Sequence, residues 1–187
     1  IEHRSVVNFL RSMAREPGLA AHDKVFSLTS PSFDIFGLEL YLPLMVGARV
    51  EFATASLVMD PQKLCERLAA SGATVLQATP STLRALLDSG LPLPRSLRIL
   101  CGGEALPPAL SARLVGSFDE AWNVYGPTET TIWSTIQRLR PNAPVNLGHP
   151  IDETHIYVVE PSGDLSPMGV VGELCIGGAG LARGYLN

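Results

Sequence analysis

The sequence predicts an α/β fold, a parallel sheet flanked by helices and followed by strands alone. Three observations point there. Short apolar or β-branched runs alternate five times with helix-patterned runs between residues 4 and 125. The connections are short, and strands joined through helices pair in parallel. Beyond Glu129 the helical periodicity stops, and strand-like runs are separated by Pro, Gly and Asn.

In order, Val6, Val7, Leu10, Met13 and Ala14 fall on one helical face across residues 4–14. Residues 24–30 (KVFSLTS) read as a strand. Residues 33–45 are helical in pattern, with Gly37 and Pro43 as weak points, and 49–53 form a strand. Asp60-Pro61 supplies an N-cap and a first-turn proline to a helix burying Leu64, Cys65 and Leu68. A strand at 73–78 follows, then a helix opened by Thr79-Pro80 and carrying Leu83, Leu86 and Leu87. The next strand, 97–101, ends at Gly102-Gly103 before a helix over 108–116 and a strand over 121–125. Residues 131–139, 155–160 and 170–176 are strand-like. The division expected is an α/β unit over residues 1–140 and a partial β-region over 141–187.

Composition excludes several function classes. The chain has 187 residues, 46% of them apolar, and 14 basic against 18 acidic side chains. A net charge of −4 offers no basic excess for a nucleic-acid backbone. Lys24 and Lys63 are its only lysines, so lysine chemistry has little to draw on. No apolar run approaches the ~18 residues of a membrane helix. Cys65, Cys101 and Cys175 stand at unrelated spacings, as buried reduced thiols do. A cytoplasmic location is the expectation.

Ligands of parallel sheets sit at the carboxyl ends of strands, here near residues 30–34, 77–80, 102–105 and 126–129. At the last of these, Gly126-Pro127 forces a turn that projects Thr128, Glu129, Thr130 and Thr131. Hydroxyls suit phosphate oxygens, and one carboxylate suits Mg²⁺; on the residues alone an ordinary capped turn is the simpler reading. Gly102-Gly103-Glu104-Ala105 would let a nucleotide lie against backbone N–H groups, or would simply be a turn. Gly177-Gly178-Ala179-Gly180 lacks the helix and acidic residue of a dinucleotide fingerprint and reads as a β-turn.

Together, NVYGPTETT, GELCIGGAGLARGYLN and FDIFGLELYLPLMVGA resemble in order and spacing the core motifs of nonribosomal peptide synthetase adenylation domains. These belong to the adenylate-forming superfamily. The matches fall at Asn123 and residues 125–129, and from Gly172 to Tyr185. The resemblance covers essentially the whole chain. It implies a flavodoxin-like subdomain followed by the first strands of a β-barrel subdomain. It also implies activation of an amino acid with ATP and Mg²⁺ as an aminoacyl adenylate, then transfer to a carrier-protein phosphopantetheine. Carried over by position, Gly102, Gly103, Glu104 and Ala105 would meet the adenine and ribose, with Asn123 and Gly126 beside them. Tyr125 would stack on the base. Thr128 would contact the phosphates and Glu129 would hold the metal.

The family's phosphate loop would precede residues like Glu2 and His3, while the ribose-gripping Asp and the catalytic lysine would follow Asn187. The expectation is therefore an excised central fragment, inactive alone. Partners implied are the carrier protein and the remaining adenylation subdomains, with a small MbtH-like protein as a further one. An apolar face uncovered by excision, including part of the 4–14 helix, would favour a homodimer.

By the same resemblance, Phe33, Asp34, Ile35, Leu38, Gln77, Leu100, Gly102, Val124, Ile132 and Trp133 would line the amino-acid pocket. Asp34 would accept the substrate ammonium, although without the resemblance it reads as a helix N-cap. No lining residue other than Asp34 is charged, and Leu38 and Trp133 fill side-chain space. The order Asp-Ile-Leu-Gln-Leu-Gly-Val-Ile-Trp is similar to the family's glycine signature. Glycine is expected, with alanine second. Competing readings are an acyl-CoA ligase, which has no use for Asp34, and a non-catalytic binding module.

Overall fold

The computed structural model describes residues 1–186. Five parallel strands are β1 (Lys24–Ser27), β2 (Arg49–Phe52), β3 (Val75–Ala78), β4 (Arg98–Gly102) and β5 (Ala121–Tyr125). They lie in the order β2-β1-β3-β4-β5. Two antiparallel strands, β6 (Thr135–Arg138) and β7 (His149–Pro150), extend the sheet beyond β5. β8 (Thr154–Val159) and β9 (Glu173–Gly178) form a separate antiparallel pair. The strand-like stretch expected at 131–139 thus joins the first sheet, and only from residue 135. Its first residues turn instead, because Thr131 and Ile132 both take left-handed φ of 67° and 71°.

Alternation along the strands builds two cores. Phe26, Leu76, Ile99 and Cys101 face α4 (Pro61–Ser71), α5 (Pro80–Asp88) and α6 (Pro108–Ser117). Val25, Val75, Leu100 and Val124 face the opposite way, toward α1 (His3–Met13) and α2 (Phe36–Val46). A parallel sheet covered on both faces requires this near-continuous apolar character. Asp60 caps α4 by accepting from Lys63 N at 3.1 Å, and Thr79 caps α5 by accepting from Thr82 N at 3.3 Å. Such caps contribute ~1 kcal/mol each. A four-residue helix, α3 (Ala55–Val58), is capped by Thr54 and was not anticipated.

Gly37 and Pro43 do not break α2, which closes at Gly47 with φ 76°. Of the face expected on α1, Leu10 and Met13 are buried alongside Phe9, while Val7 stays exposed. Exposed apolar side chains also lie on α2, at Tyr41, Leu44 and Met45. Gly177 and Gly178 end β9 and the turn occupies residues 179–180, correcting the turn expected from 177 onward. Gly178 pairs with Thr154, and a Cβ there would stand 2.1 Å from the Glu153 carbonyl oxygen.

Candidate functional site

The carboxyl ends of β1, β3, β4 and β5 converge on one edge, with two hollows beside them. The larger, about 430 Å³, is lined by Gly103, Glu104, Ala105, Asn123, Tyr125 and Gly126, with the wall of Trp133. Every sequence-predicted nucleotide residue except Gly102 and Thr128 meets there. The sequence had not singled out Leu106, Val145, Asn146 and Leu147, which complete it. Asn123 explains the arrival of residues 145–147, since its Nδ2 donates to the Asn146 carbonyl at 2.8 Å and ties that loop to β5. Gly103 turns with φ 85°, which lets backbone line the hollow without a side chain. The Glu104 carboxylate accepts from Ser81 Oγ at 2.6 Å, bridging α5 to this turn.

The smaller hollow, about 170 Å³, brings Asp34 of the β1–α2 connection against Thr128, Thr131 and Ile132. The N-cap position of α2 falls on Ile35 and no side chain caps it, so Asp34 is not the cap its place in sequence allowed. Phe33 goes elsewhere. It is 62% exposed and borders a separate hollow with Thr79 and Thr82.

Behind these hollows the other pocket residues close into a wall. Ile35, Leu38, Leu100, Val124, Ile132 and Trp133 belong to one buried cluster. Trp133 is 1% exposed, and its Nε1 donates to Gln77 Oε1 at 2.9 Å. Gln77 Nε2 donates at 2.8 Å both to the Ile35 carbonyl and to Glu39 Oε1. Gln77 therefore spends its amide on the protein, as a pin for the indole. Gly102 makes room for that indole. A Cβ there would stand 2.5 Å from Val124 O and 2.8 Å from the ring of Trp133. Left-handed φ is a real outlier for β-branched Thr131 and Ile132. The two residues turn the chain so that Trp133 enters the core beneath Gly126.

Thr128 and Glu129 lie exposed on a single 3₁₀ turn, Thr128–Thr130. The segment after β9 folds back onto it. Ala182 N donates to Glu129 O at 2.8 Å, Thr131 Oγ1 donates to Gly180 O at 2.7 Å, and the Tyr185 hydroxyl donates to Glu129 Oε1 at 2.5 Å. The Tyr185 hydrogen bond holds the Glu129 carboxyl below the ordinary glutamate range, and the same bond raises the tyrosine. Beneath Gly102, burial and then the charge of Glu104 push the Cys101 thiol up to about 12, leaving it inert. Among the described residues no three His, Cys, Asp or Glu side chains cluster. Glu129 is an exposed carboxylate that could share a cation with ligand oxygens and water.

A family model described as AMP-binding enzyme matches residues 1–186. The chain belongs to the AMP-binding enzyme family. Among relatives of this family, a dimodular nonribosomal peptide synthase of Bacillus subtilis is 41% identical over 100% of this chain and 8% of its own length. The delta-poly-L-ornithine synthetase of Acinetobacter baumannii is 38% identical over 100% of this chain and 14% of its own. A solved four-domain nonribosomal peptide synthetase bound to AMP and glycine superposes with a TM-score of 0.95 and 42% identity, covering 99% of this chain and 14% of that one. The N-terminal subdomain of Klebsiella oxytoca NpsA, 24% identical, shares the fold with a TM-score of 0.86 over 100% of this chain and 48% of that one. The chain thus spans a small part of the synthetases it matches. No described helix is long and apolar enough to cross a membrane.

Proposed function

We propose that this chain is the substrate-selecting part of a nonribosomal peptide synthetase adenylation domain, and that the domain activates glycine with ATP as the aminoacyl adenylate. The observation that carries the choice of glycine is the Gln77–Trp133 pin, which holds a buried indole where the resemblance puts the substrate side chain. A pocket rejects a larger ligand by clash more firmly than it loses a smaller one. A structural relative's binding of AMP and glycine supports the same reading.

In this reading Asp34 accepts the substrate α-ammonium, a charge-assisted bond contributing ~1.5–3 kcal/mol. Thr128, on the rim of the same hollow, donates to the α-phosphate beside it. The hollow of Gly103, Ala105 and Tyr125 takes the adenosine, whose flat base fits a mostly apolar slot. Glu129 holds Mg²⁺, which neutralises phosphate charge when bound. The chain's own residues position carboxylate and phosphate, and positioning is the main lever for such a transfer. The aminoacyl group then passes to the phosphopantetheine of a carrier protein. The functional division runs at residue 140, with a partial barrel beyond it, although β7 pairs back with β6 across that line.

Amino-acid-dependent pyrophosphate exchange by the synthetase that carries this chain tests the reading. Glycine should give the highest kcat/KM, with alanine second. Preference for a bulky or charged amino acid overturns it.

A further inference from the structure

Glu39 is the one charged residue of α2, 0% exposed, and no ion pair neutralises it among the described residues. Four donors converge on it instead. Ser27 Oγ and Thr29 N donate to Oε2 at 2.6 and 3.1 Å. Thr29 Oγ1 and Gln77 Nε2 donate to Oε1 at 2.5 and 2.8 Å. A carboxylate suits this place because it is acceptor on both oxygens.

We infer that Glu39 is a positioning residue for substrate selection, fixing through Gln77 the direction of the hydrogen bond that locks Trp133. The inference rests on the glycine reading for its kinetic arm only. Its logic is one of polarity. An indole N–H only donates, so Gln77 must turn its oxygen toward Trp133. That leaves the Gln77 amino group facing Ile35 O and position 39, and position 39 must then accept. A glutamine at 39 cannot accept on both sides. The Thr29 backbone N–H cannot turn away, so it claims the new amide oxygen, and the new amino group faces that of Gln77. Rotating the Gln77 amide in place is no relief, since it would set the oxygen against Ile35 O and a donor against the Trp133 N–H, so the amide is pushed out of line and its bond to the indole weakens. The indole is unpinned although nothing touching it has been mutated.

The test is Glu39→Gln in the synthetase carrying this chain, labelled with ¹⁵N at tryptophan. Two quantities are read: the indole N–H resonances and the alanine-to-glycine ratio of kcat/KM in pyrophosphate exchange. The Trp133 N–H should move and exchange with solvent at least tenfold faster. Trp122, whose Nε1 donates to Glu120 at 2.8 Å, is the internal control and should not move. The ratio should rise at least fivefold. In a Trp133→Phe background, which has no indole N–H to lock, Glu39→Gln should change the ratio less than twofold. A general structural role predicts equal changes in both backgrounds. An unmoved Trp133 N–H overturns the inference, as does an unchanged ratio in a glycine-selecting parent. If the N–H moves while the unmutated parent prefers another amino acid, the relay is upheld and the glycine reading falls. Should Glu39→Gln not fold, Gln77→Met removes the acceptor at similar volume. A raised ratio there supports the pin, and an unchanged one overturns it.

Discussion

Tyr185 and Glu129 meet across 2.5 Å, joining the segment that follows β9 to the exposed turn after β5. The phenol is the first cause of the lowered carboxyl of Glu129. Tyr185→Phe should therefore let Glu129 titrate nearer its ordinary value of 4.5. The acid limb of the pH–rate profile should shift upward, with activity retained at neutral pH. An unshifted limb would separate Tyr185 from the function of Glu129.

Glu129→Gln should cut the adenylation rate at least tenfold and raise the Mg²⁺ concentration needed. The melting temperature should hold, because the side chain is exposed and its partner can still donate to the amide oxygen. An unchanged rate with unchanged Mg²⁺ dependence would count decisively against the metal assignment.

Trp133→Ala and Asp34→Ala should fail in different ways. The first opens volume, raising kcat/KM for alanine relative to glycine, at a stability cost of ~3–5 kcal/mol. The second should lower kcat/KM for every amino acid by a similar factor, since all share the α-ammonium. Equal effects of both variants on the alanine-to-glycine ratio would contradict the separate roles.

Gly102→Ala should destabilise the fold by ~1–3 kcal/mol through overpacking. Its Cβ would press on Val124 O, which is backbone and cannot rotate aside, and on the Trp133 ring. Trp133→Phe in the same chain should recover part of the loss. Urea denaturation of the two variants and the pair checks this.

Asp23 gives the pH prediction. Burial alone would raise its pKa, but the Thr74 hydroxyl, the Ala20 N–H and Arg98 together hold it below the ordinary 3.8. Its carboxylate accepts from Thr74 at 2.7 Å and from Ala20 N at 2.8 Å. A depressed folded-state value means stability present above pH 3.8 and lost as pH falls through the lower folded value. Asp23→Asn should cost ~1–3 kcal/mol at neutral pH. Its deficit against the unmutated chain should shrink below pH 3.8, read from denaturation midpoints at several pH values.

Much of this architecture was legible in the sequence. β5 begins and ends where the Ala121 and Tyr125 pattern placed it, and Asp60-Pro61 and Thr79-Pro80 open the helices they announced. Caps and alternation are local signals, so they survive without tertiary knowledge. The side on which Asp34 and Phe33 point was not legible, because the irregular chain between β1 and α2 sends neighbours into different hollows. Nor was the return that brings β6 onto the edge of the parallel sheet, which depends on left-handed Thr131 and Ile132, residue types that seldom announce a turn. Tyr185 belongs to the motif GELCIGGAGLARGYLN, but a hydrogen bond across 56 positions has no local signature. Glu39 did leave a trace, as a lone charge within FGLELYLPLMV. A charge in such a run asks for buried donors.

The four donors around Glu39 also bear on how specificity can be rewritten. An exchange of pocket-facing residues that puts an apolar group at position 77 removes one of these donors. The acid behind it would then keep its place with a donor missing, in a site water reaches poorly. Chimeras made this way should misfold or lose rate for reasons unrelated to the new substrate. A workable graft transfers Ser27, Thr29, Glu39, Gln77 and Trp133 as one unit, drawn from the β1 and β3 ends, α2 and the turn before β6. On the proposed reading, specificity in such a domain would be carried by a linked set of positions across the sheet edge, and a single exchange toward a new amino acid would start from an unfavourable intermediate.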